Sequence, residues 1–460
     1  MQRRDALRGL MALSIPGLLT ACGGGSSGSS PENSAPDITQ FTSDKASYFI
    51  GEPAILTATF NKGNGTLQPY GTAISSNVPL TLPRLTASTV TLQVQGATTV
   101  TRALQVTLKY RNQWHTVEMG TARSTHRTAQ SGDKLYVLGG YGAGLSFPRQ
   151  VLVFDAIGEK FSVGGDLLSG RVKHTATMLK SGVGILVVGG SRDVAGAPSA
   201  EYYDCATGKS RATTGQPQGN RMFHTATLLA DGKVLLAGGS VSQEGVTTAS
   251  ADLYDPVTDR FTRLAGGMRH ARVSHSATLL KNGKVLIVSG ENGNRDQVLP
   301  PELFDPATQT FSALAPAPGD TLVRTDAATV NLDNGDVLQL GGANFFGGGA
   351  SGDLFTFAAA TPATAKTGKL LSPRALLAAV KLLDGRVLVV GGSDGDASES
   401  ARAMSTSEWY APDSGTSSAS AAMAAARMEH TADLLSTGKV LVVGGKPSAL
   451  TFSATAELYS

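Results

Sequence analysis

Residues 221–240 read RMFHTATLLADGKVLLAGGS. Alone, the stretch has the look of a reactive site. It holds Arg221, then His224, an Asp231-Gly232 turn and the pair Gly238-Gly239. Residues 272–291 read RVSHSATLLKNGKVLIVSGE, and residues 427–446 read RMEHTADLLSTGKVLVVGGK. A reactive site is usually unique in a chain, whereas a scaffold element recurs. Glycine pairs fall at 139–140, 189–190, 238–239, 341–342, 391–392 and 444–445, with Ser289-Gly290 filling the series. Their first positions step by 50, 49, 51, 52, 50 and 53 residues. An arginine leads each unit: Arg123, Arg171, Arg221, Arg272, Arg324, Arg374 and Arg427.

Each unit keeps one order. An apolar strand such as His224–Leu229 meets the Asp-Gly turn, and a second strand, Lys233–Ala237, runs into the glycine pair. A variable loop follows. A third strand ends in Leu253-Tyr254-Asp255, the turn Asp255-Pro256-Val257-Thr258 suits Asp first and Pro second, and a fourth strand opens on Phe261. Seven such units resemble the kelch β-propeller family over residues 111–460, in the style of the galactose oxidase group. The resemblance implies an all-β, seven-bladed propeller. The last unit stops at Glu457-Leu458-Tyr459-Ser460, one strand short. Trp114-His115-Thr116-Val117-Glu118-Met119 stands where that strand belongs, so 112–119 is expected to close the last blade beside 455–460. In this reading the leading arginines and His126, His174, His224, His275 and His430 are structural groups at the entry of each inner strand. On separate blades the histidines do not converge on one metal ion.

The N-terminus is organised differently. MQRRDALRGLMALSIPGLLTAC has a basic start and an apolar run too short to span a bilayer. Leu19-Thr20-Ala21-Cys22 resembles the lipobox of bacterial lipoproteins, which implies a signal peptide over 1–21 and lipid on Cys22. Arg3-Arg4-Asp5-Ala6-Leu7-Arg8 is similar to a twin-arginine export motif, with Ala6 where a large apolar residue is common. Residues 22–35 form a Gly/Ser-rich tether. The expected location is the membrane of an exported bacterial lipoprotein, on the outer-membrane, periplasmic or cell-surface side. Residues 36–110 alternate apolar and polar side chains in Gly51–Phe60, Thr91–Gly96 and Leu104–Leu108. They resemble bacterial immunoglobulin-like β-sandwiches, without a Cys…Trp…Cys framework.

Formal net charge is +3, of which Arg3, Arg4, Arg8 and Asp5 supply +2. No basic run remains to neutralise phosphates, which argues against nucleic acid as a partner. Cys22 and Cys205 are the two cysteines, too few for a disulfide framework or a zinc cluster. The copper radical chemistry of galactose oxidases needs a Cys cross-linked to a Tyr, and a Tyr followed by a His. No Tyr-His pair occurs, and Cys205 follows Tyr202-Tyr203-Asp204 at an outer-strand end. No metal, cofactor or catalytic residue is expected. The acidic stretch 393–399 has some character of a calcium loop but an incomplete pattern, and reads as a solvated loop.

What remains is a loop face, made by 141–150, 191–199, 240–250, 291–300, 343–352, 393–407 and 446–454. Tyr141, Phe147, Arg192, Arg295, Asp296, Phe345, Phe346 and Arg402 are the residues there suited to grip a ligand. Units five and six depart from the pattern, with Ala327 and Leu377 in place of histidine and Phe355-Thr356-Phe357 in place of Tyr-Asp. They are the expected place for a functional asymmetry, with Arg324 and Arg374 supplying charge. The function expected is a non-catalytic module binding a protein or glycan. A carbohydrate-active enzyme and a purely structural envelope protein are the alternatives.

Overall fold

Among the described residues the chain forms strands and almost nothing else. The computed structural model describes residues 35–193, 195–241, 246–292, 300–315, 324–344, 349–358, 364–395 and 401–460. The leader 1–21, Cys22, Arg295, Asp296, Phe345 and Phe346 lie outside the described residues. Among the described residues no helix is long and apolar enough to cross a membrane.

Residues 38–109 form three small sheets. One orders Ile38–Ser43, Ala54–Phe60 and Leu80–Leu82, and another orders Thr72–Ile74, Asn64–Gln68, Thr89–Gln95 and Thr99–Gln105. Ser47–Phe49 pairs parallel with Thr107–Lys109. The alternating side chains Ala54, Leu56 and Ala58 share one core with Val90, Leu92 and Val94. The strand expected from Gly51 starts at Ala54, because Gly51 turns with φ +82°. The strand expected over Leu104–Leu108 divides at Val106, and its halves pair with different partners.

Residues 114–459 build seven antiparallel four-stranded units. The third runs Thr225–Leu228, Val234–Ala237, Ala251–Asp255 and Arg260–Arg263 in spatial order. The first two units share an eight-stranded sheet, joined where Asp166 and Lys209 pair between their outer strands. In the last unit Trp114–Glu118 pairs antiparallel with Thr455–Tyr459 and supplies the outer strand. The first strands of successive units are neighbours in chain order, and that of the seventh neighbours that of the first, so the units close a ring. Each second strand, such as Val234–Ala237 or Val440–Val443, is buried along its length, save for the exposed Lys134 that opens that of the first unit. Both its faces pack on adjoining units, which is why it reads as a continuous apolar run.

The glycine pairs lie at the seams. A Cβ on Gly189 would stand 2.2 Å from the Arg221 carbonyl and 2.8 Å from the His224 ring, both in the next unit. Gly190 donates its N–H to that carbonyl at 2.7 Å. The pair at 444–445 makes the same contacts to Arg123 and His126, across the closing seam. The ring and the N-terminal sheets share one apolar core, in which Tyr48, Leu85 and Leu108 join Leu388, Val440 and Tyr459.

Candidate functional site

The leading arginines are buried inside their units. Arg171 pairs with Glu201 at 2.5 Å, Arg221 with Asp252 at 2.5 Å, Arg272 with Glu302 at 2.8 Å, Arg374 with Glu408 at 2.7 Å and Arg427 with Glu457 at 2.7 Å. Each also donates to the backbone carbonyl at the first position of its own glycine pair, as Arg221 does to Gly238 at 2.8 Å. Arg324 lies 3.7 Å from Asp353, with its guanidinium over Phe355. Arg324 and Arg374 are therefore not the loop-face charges expected from sequence. Their side chains turn back to satisfy carbonyls and carboxylates within the unit.

Three of the five histidines bond the preceding unit. His224 Nε2 meets Thr175 Oγ1 at 3.0 Å, His275 meets Thr225 at 3.0 Å, and His126 meets Thr431 across the closing seam at 3.1 Å. His174 and His430 face Arg127 and Ala378 at the threonine position, and their ring nitrogens have no partner. Burial holds His126, His275 and His430 down to about 3, so all are neutral struts at ordinary pH. Units five and six replace the strut by apolar packing, where Leu377 and Ala328 share a cluster.

Between each arginine and histidine the chain turns through one residue of left-handed backbone. These residues are Thr125, Lys173, Phe223, Ser274, Asp326, Leu376 and Glu429, with φ between 49° and 60° throughout. None is glycine, and seven such positions in register mark imposed geometry. They meet around the ring axis. Thr125 donates its N–H to Glu429, Glu429 to Leu376 and Leu376 to Asp326, at 3.0, 3.2 and 3.3 Å. Ser274 donates to Phe223, and Phe223 to Lys173, at 3.2 and 3.1 Å. The result is an axial mouth with a hydrogen-bonded backbone rim and seven different side chains.

The mouth gathers titratable groups. Burial pushes the Asp326 carboxyl up to about 6, the nearby Glu429 carboxylate adds to that push, and Arg127 opposes it. Arg127 stands just inside the rim and donates to the His174 carbonyl at 3.2 Å. It is solvent-exposed, and the protein packed around it lowers its proton affinity. Glu429 is paired with Lys446 at 2.8 Å. Further along the same inner strand, burial pushes Asp433 up to about 6, with one oxygen on Thr128 and the other without a partner. A group titrating near 6 beside a carboxylate and a guanidinium can donate and accept a proton near neutrality.

Of the expected gripping residues, Tyr141 and Phe147 come together, with ring centroids 5.5 Å apart. Phe452, which the sequence did not single out, stands 6.5 Å from Tyr141. Burial raises the Tyr141 hydroxyl and Glu429 adds to the effect, so this cluster borders the mouth. Arg192 pairs along the backbone with Arg171 and is half-buried. Arg402 is exposed and donates its N–H to Asp394 at 2.9 Å. The rest of the acidic loop, 396–400, lies outside the described residues. Cys205 ends a third strand beside Tyr136, in a cleft of 350 Å³ that also takes in Lys134 and Lys160. Burial raises its thiol, which disfavours the reactive thiolate. Among the described residues no group of three His, Cys, Asp or Glu side chains is placed to hold a metal ion.

No family model matches the chain, and no curated protein matches it. Among solved structures it is similar to a fungal alcohol oxidase of the AA5 family, in complex with copper, at a TM-score of 0.62 and 19% identity. The match covers 76% of this chain and 76% of that one. At that identity the likeness shows the fold alone: an all-β protein of galactose oxidase-like architecture.

Proposed function

We propose that the protein is an exported, lipid-anchored envelope module that recognises a glycan or a glycan-bearing protein at the axial mouth. In this reading Cys22 carries the anchor, 22–35 is the tether, 36–110 is an immunoglobulin-like stalk, and 111–460 is a seven-bladed kelch propeller. The observation that carries it is the convergence of Asp326, Glu429 and Arg127 on a rigid rim bordered by Tyr141, Phe147 and Phe452. Carboxylates and a guanidinium offer acceptors and donors to vicinal hydroxyls, and aromatic faces offer apolar surface to a sugar ring.

The copper of the AA5 oxidase does not fit the residues present. The imidazoles point into the seams between units, three of them bonded to threonine, and Cys205 lies at a third-strand end. A second reading, acid–base catalysis on a sugar, is favoured by the raised carboxyl of Asp326 alone.

Screening the full chain in mild detergent against a glycan array tests the first reading. Asp326→Asn and Tyr141→Ala should each weaken a hit about tenfold or more, a loss of about 1.4 kcal/mol. Undiminished binding in both variants would remove the mouth from the proposal. Turnover of the same glycan, with a pH profile that breaks near 6 and flattens in Asp326→Asn, would favour catalysis instead. The anchor is tested by fractionating cells that express Cys22→Ala, which should leave the membrane fraction.

A further inference from the structure

In four of the seven units a third-strand glutamate makes the same pair of contacts. Its carboxylate binds the arginine of its own unit and accepts backbone N–H groups from the residues just before that arginine. Glu201 takes the N–H of Leu168 at 2.7 Å, and Glu408 that of Leu371 at 2.7 Å. Glu302 takes those of Arg269 and His270 at 2.7 and 3.1 Å. Glu457 takes those of Ala424 and Ala425 at 2.7 and 3.1 Å. The donors stand three and two positions ahead of the arginine. The third unit keeps an acid on its arginine through Asp252, and the fifth has Asp353 beside Arg324.

The first unit has backbone N–H groups at the same two sequence positions and lacks the acid. The strand register puts Glu201 opposite Val187 and Glu457 opposite Val442, and by the same register Leu152 stands opposite Val137. Arg123 is fully buried, with Nη2 donating to the Gln150 carbonyl at 2.8 Å and with Nε and Nη1 lacking any partner. Burial lowers it to about 10, which still leaves a cation at neutral pH. Gly120 and Thr121 hold the two amide positions ahead of it; they are exposed, and among the described residues their N–H groups enter no hydrogen bond. A buried cation without counter-charge is costly, and two-oxygen carboxylates are what guanidinium and paired amides bind best.

We propose that Arg123, Gly120 and Thr121 form a binding site for a carboxylate supplied by a ligand. The site opens on the Gly120–Thr121 side, since Leu152 is buried beneath it. The chain beside it carries aromatic residues. Arg123 donates its N–H to Ser453, the residue after Phe452, at 3.0 Å, and Ser124 pairs with Tyr141. A carboxylate carried on a sugar ring would lay that ring along Tyr141 and Phe452, whereas a bare carboxylate would use the cradle alone. The cradle uses none of Asp326, Glu429 and Arg127, and shares only the Tyr141 and Phe452 border with the axial mouth.

The test is thermal unfolding of the full chain in detergent at constant ionic strength. Chloride is replaced stepwise by acetate or by methyl glucuronide, with methyl glucoside as the uncharged control. Both carboxylates should raise the midpoint, by about 2–4 °C near saturation, and the glucoside should not. A larger rise with the glucuronide assigns the site to a sugar acid, and an equal rise assigns it to a bare carboxylate. Leu152→Glu supplies an internal acid; its midpoint should be higher without any probe, and its response should vanish. If that variant does not fold, Arg123→Lys serves, keeping the charge without the fork and cutting the affinity about tenfold. No rise with either carboxylate in the natural chain overturns the proposal, as does a full response in the variant measured.

Discussion

Ser289 stands where the other six units carry glycine, and Ala327 of the next unit stands where an imidazole or Leu377 would press on it. The two departures form one exchange. Gly238 and Gly391 leave room for the His275 and His430 rings, at 2.8 and 2.7 Å from the Cβ they lack. With alanine at 327 that room is free, and the Ser289 hydroxyl accepts a bond there from Gln339. Ser289 keeps the glycine backbone, with φ +65°. The departure of unit five at Ala327 thus has a packing cause.

Ala327→His should therefore destabilise the protein by about 2–3 kcal/mol, because the new ring meets the serine side chain. Ser289→Gly in the same chain should recover most of that. A double-mutant cycle by thermal or urea unfolding measures the coupling, and additive effects would refute the exchange.

Trp114 bonds the Ala421 carbonyl through Nε1 at 2.8 Å and packs on Tyr459 at 4.8 Å. It opens the strand that covers the edge of Thr455–Tyr459. Trp114→Ala should cost about 3 kcal/mol or more, and removing residues 111–119 should leave an unpaired edge that associates with other chains. Light scattering on heating would show it; a monomeric deletion variant with an unchanged midpoint would contradict it.

Acid should weaken the ring from below about pH 6.5. His126, His275 and His430 are held near 3, and His174 and His224 well below the ordinary 6.5. Unfolding restores the ordinary value, so below 6.5 the unfolded chain binds protons that the native chain refuses. Stability is complete above 6.5 and is lost as the pH falls toward 3, at up to about 1.4 kcal/mol per histidine and pH unit. Asp326 and Asp433 oppose this: raised to about 6 from 3.8, they contribute stability that is lost as the pH rises through 6. Five histidines outweigh two acids, so the melting midpoint should drop between about pH 7 and 4.5. A flat profile would mean the imidazoles are hydrated.

The repeat was legible because close approach leaves a residue-type signature. A glycine pair, a turn and an arginine recur where a side chain, a register or a carbonyl demands them. The axial mouth left no such mark. Thr125, Lys173, Phe223, Ser274, Asp326, Leu376 and Glu429 share a backbone conformation and no chemistry. Aligning the seven units would have exposed them as a variable position between near-constant flanks. The partners of the arginines were also hidden, since Arg427 and Glu457 meet only once the third strand is in register.

Tyr110 ties the N-terminal sheets to the ring. Its hydroxyl donates to the Gly438 carbonyl at 2.8 Å and accepts the Leu383 N–H at 3.2 Å, while its ring stacks on Tyr459 at 5.7 Å. Burial raises the hydroxyl's proton affinity, so it stays a neutral donor. Tyr110→Phe keeps the stacking and the volume but leaves a buried carbonyl and a half-buried amide without partners, at a cost of about 1–3 kcal/mol. The loss falls on the junction, whose core is otherwise continuous from Leu108 to Val440. Proteolysis of the variant should therefore cut first near 111–113, at a denaturant concentration that leaves the ring intact. Cleavage there at the same rate in Tyr110→Phe and the natural chain would mean that the apolar core alone holds the two parts together.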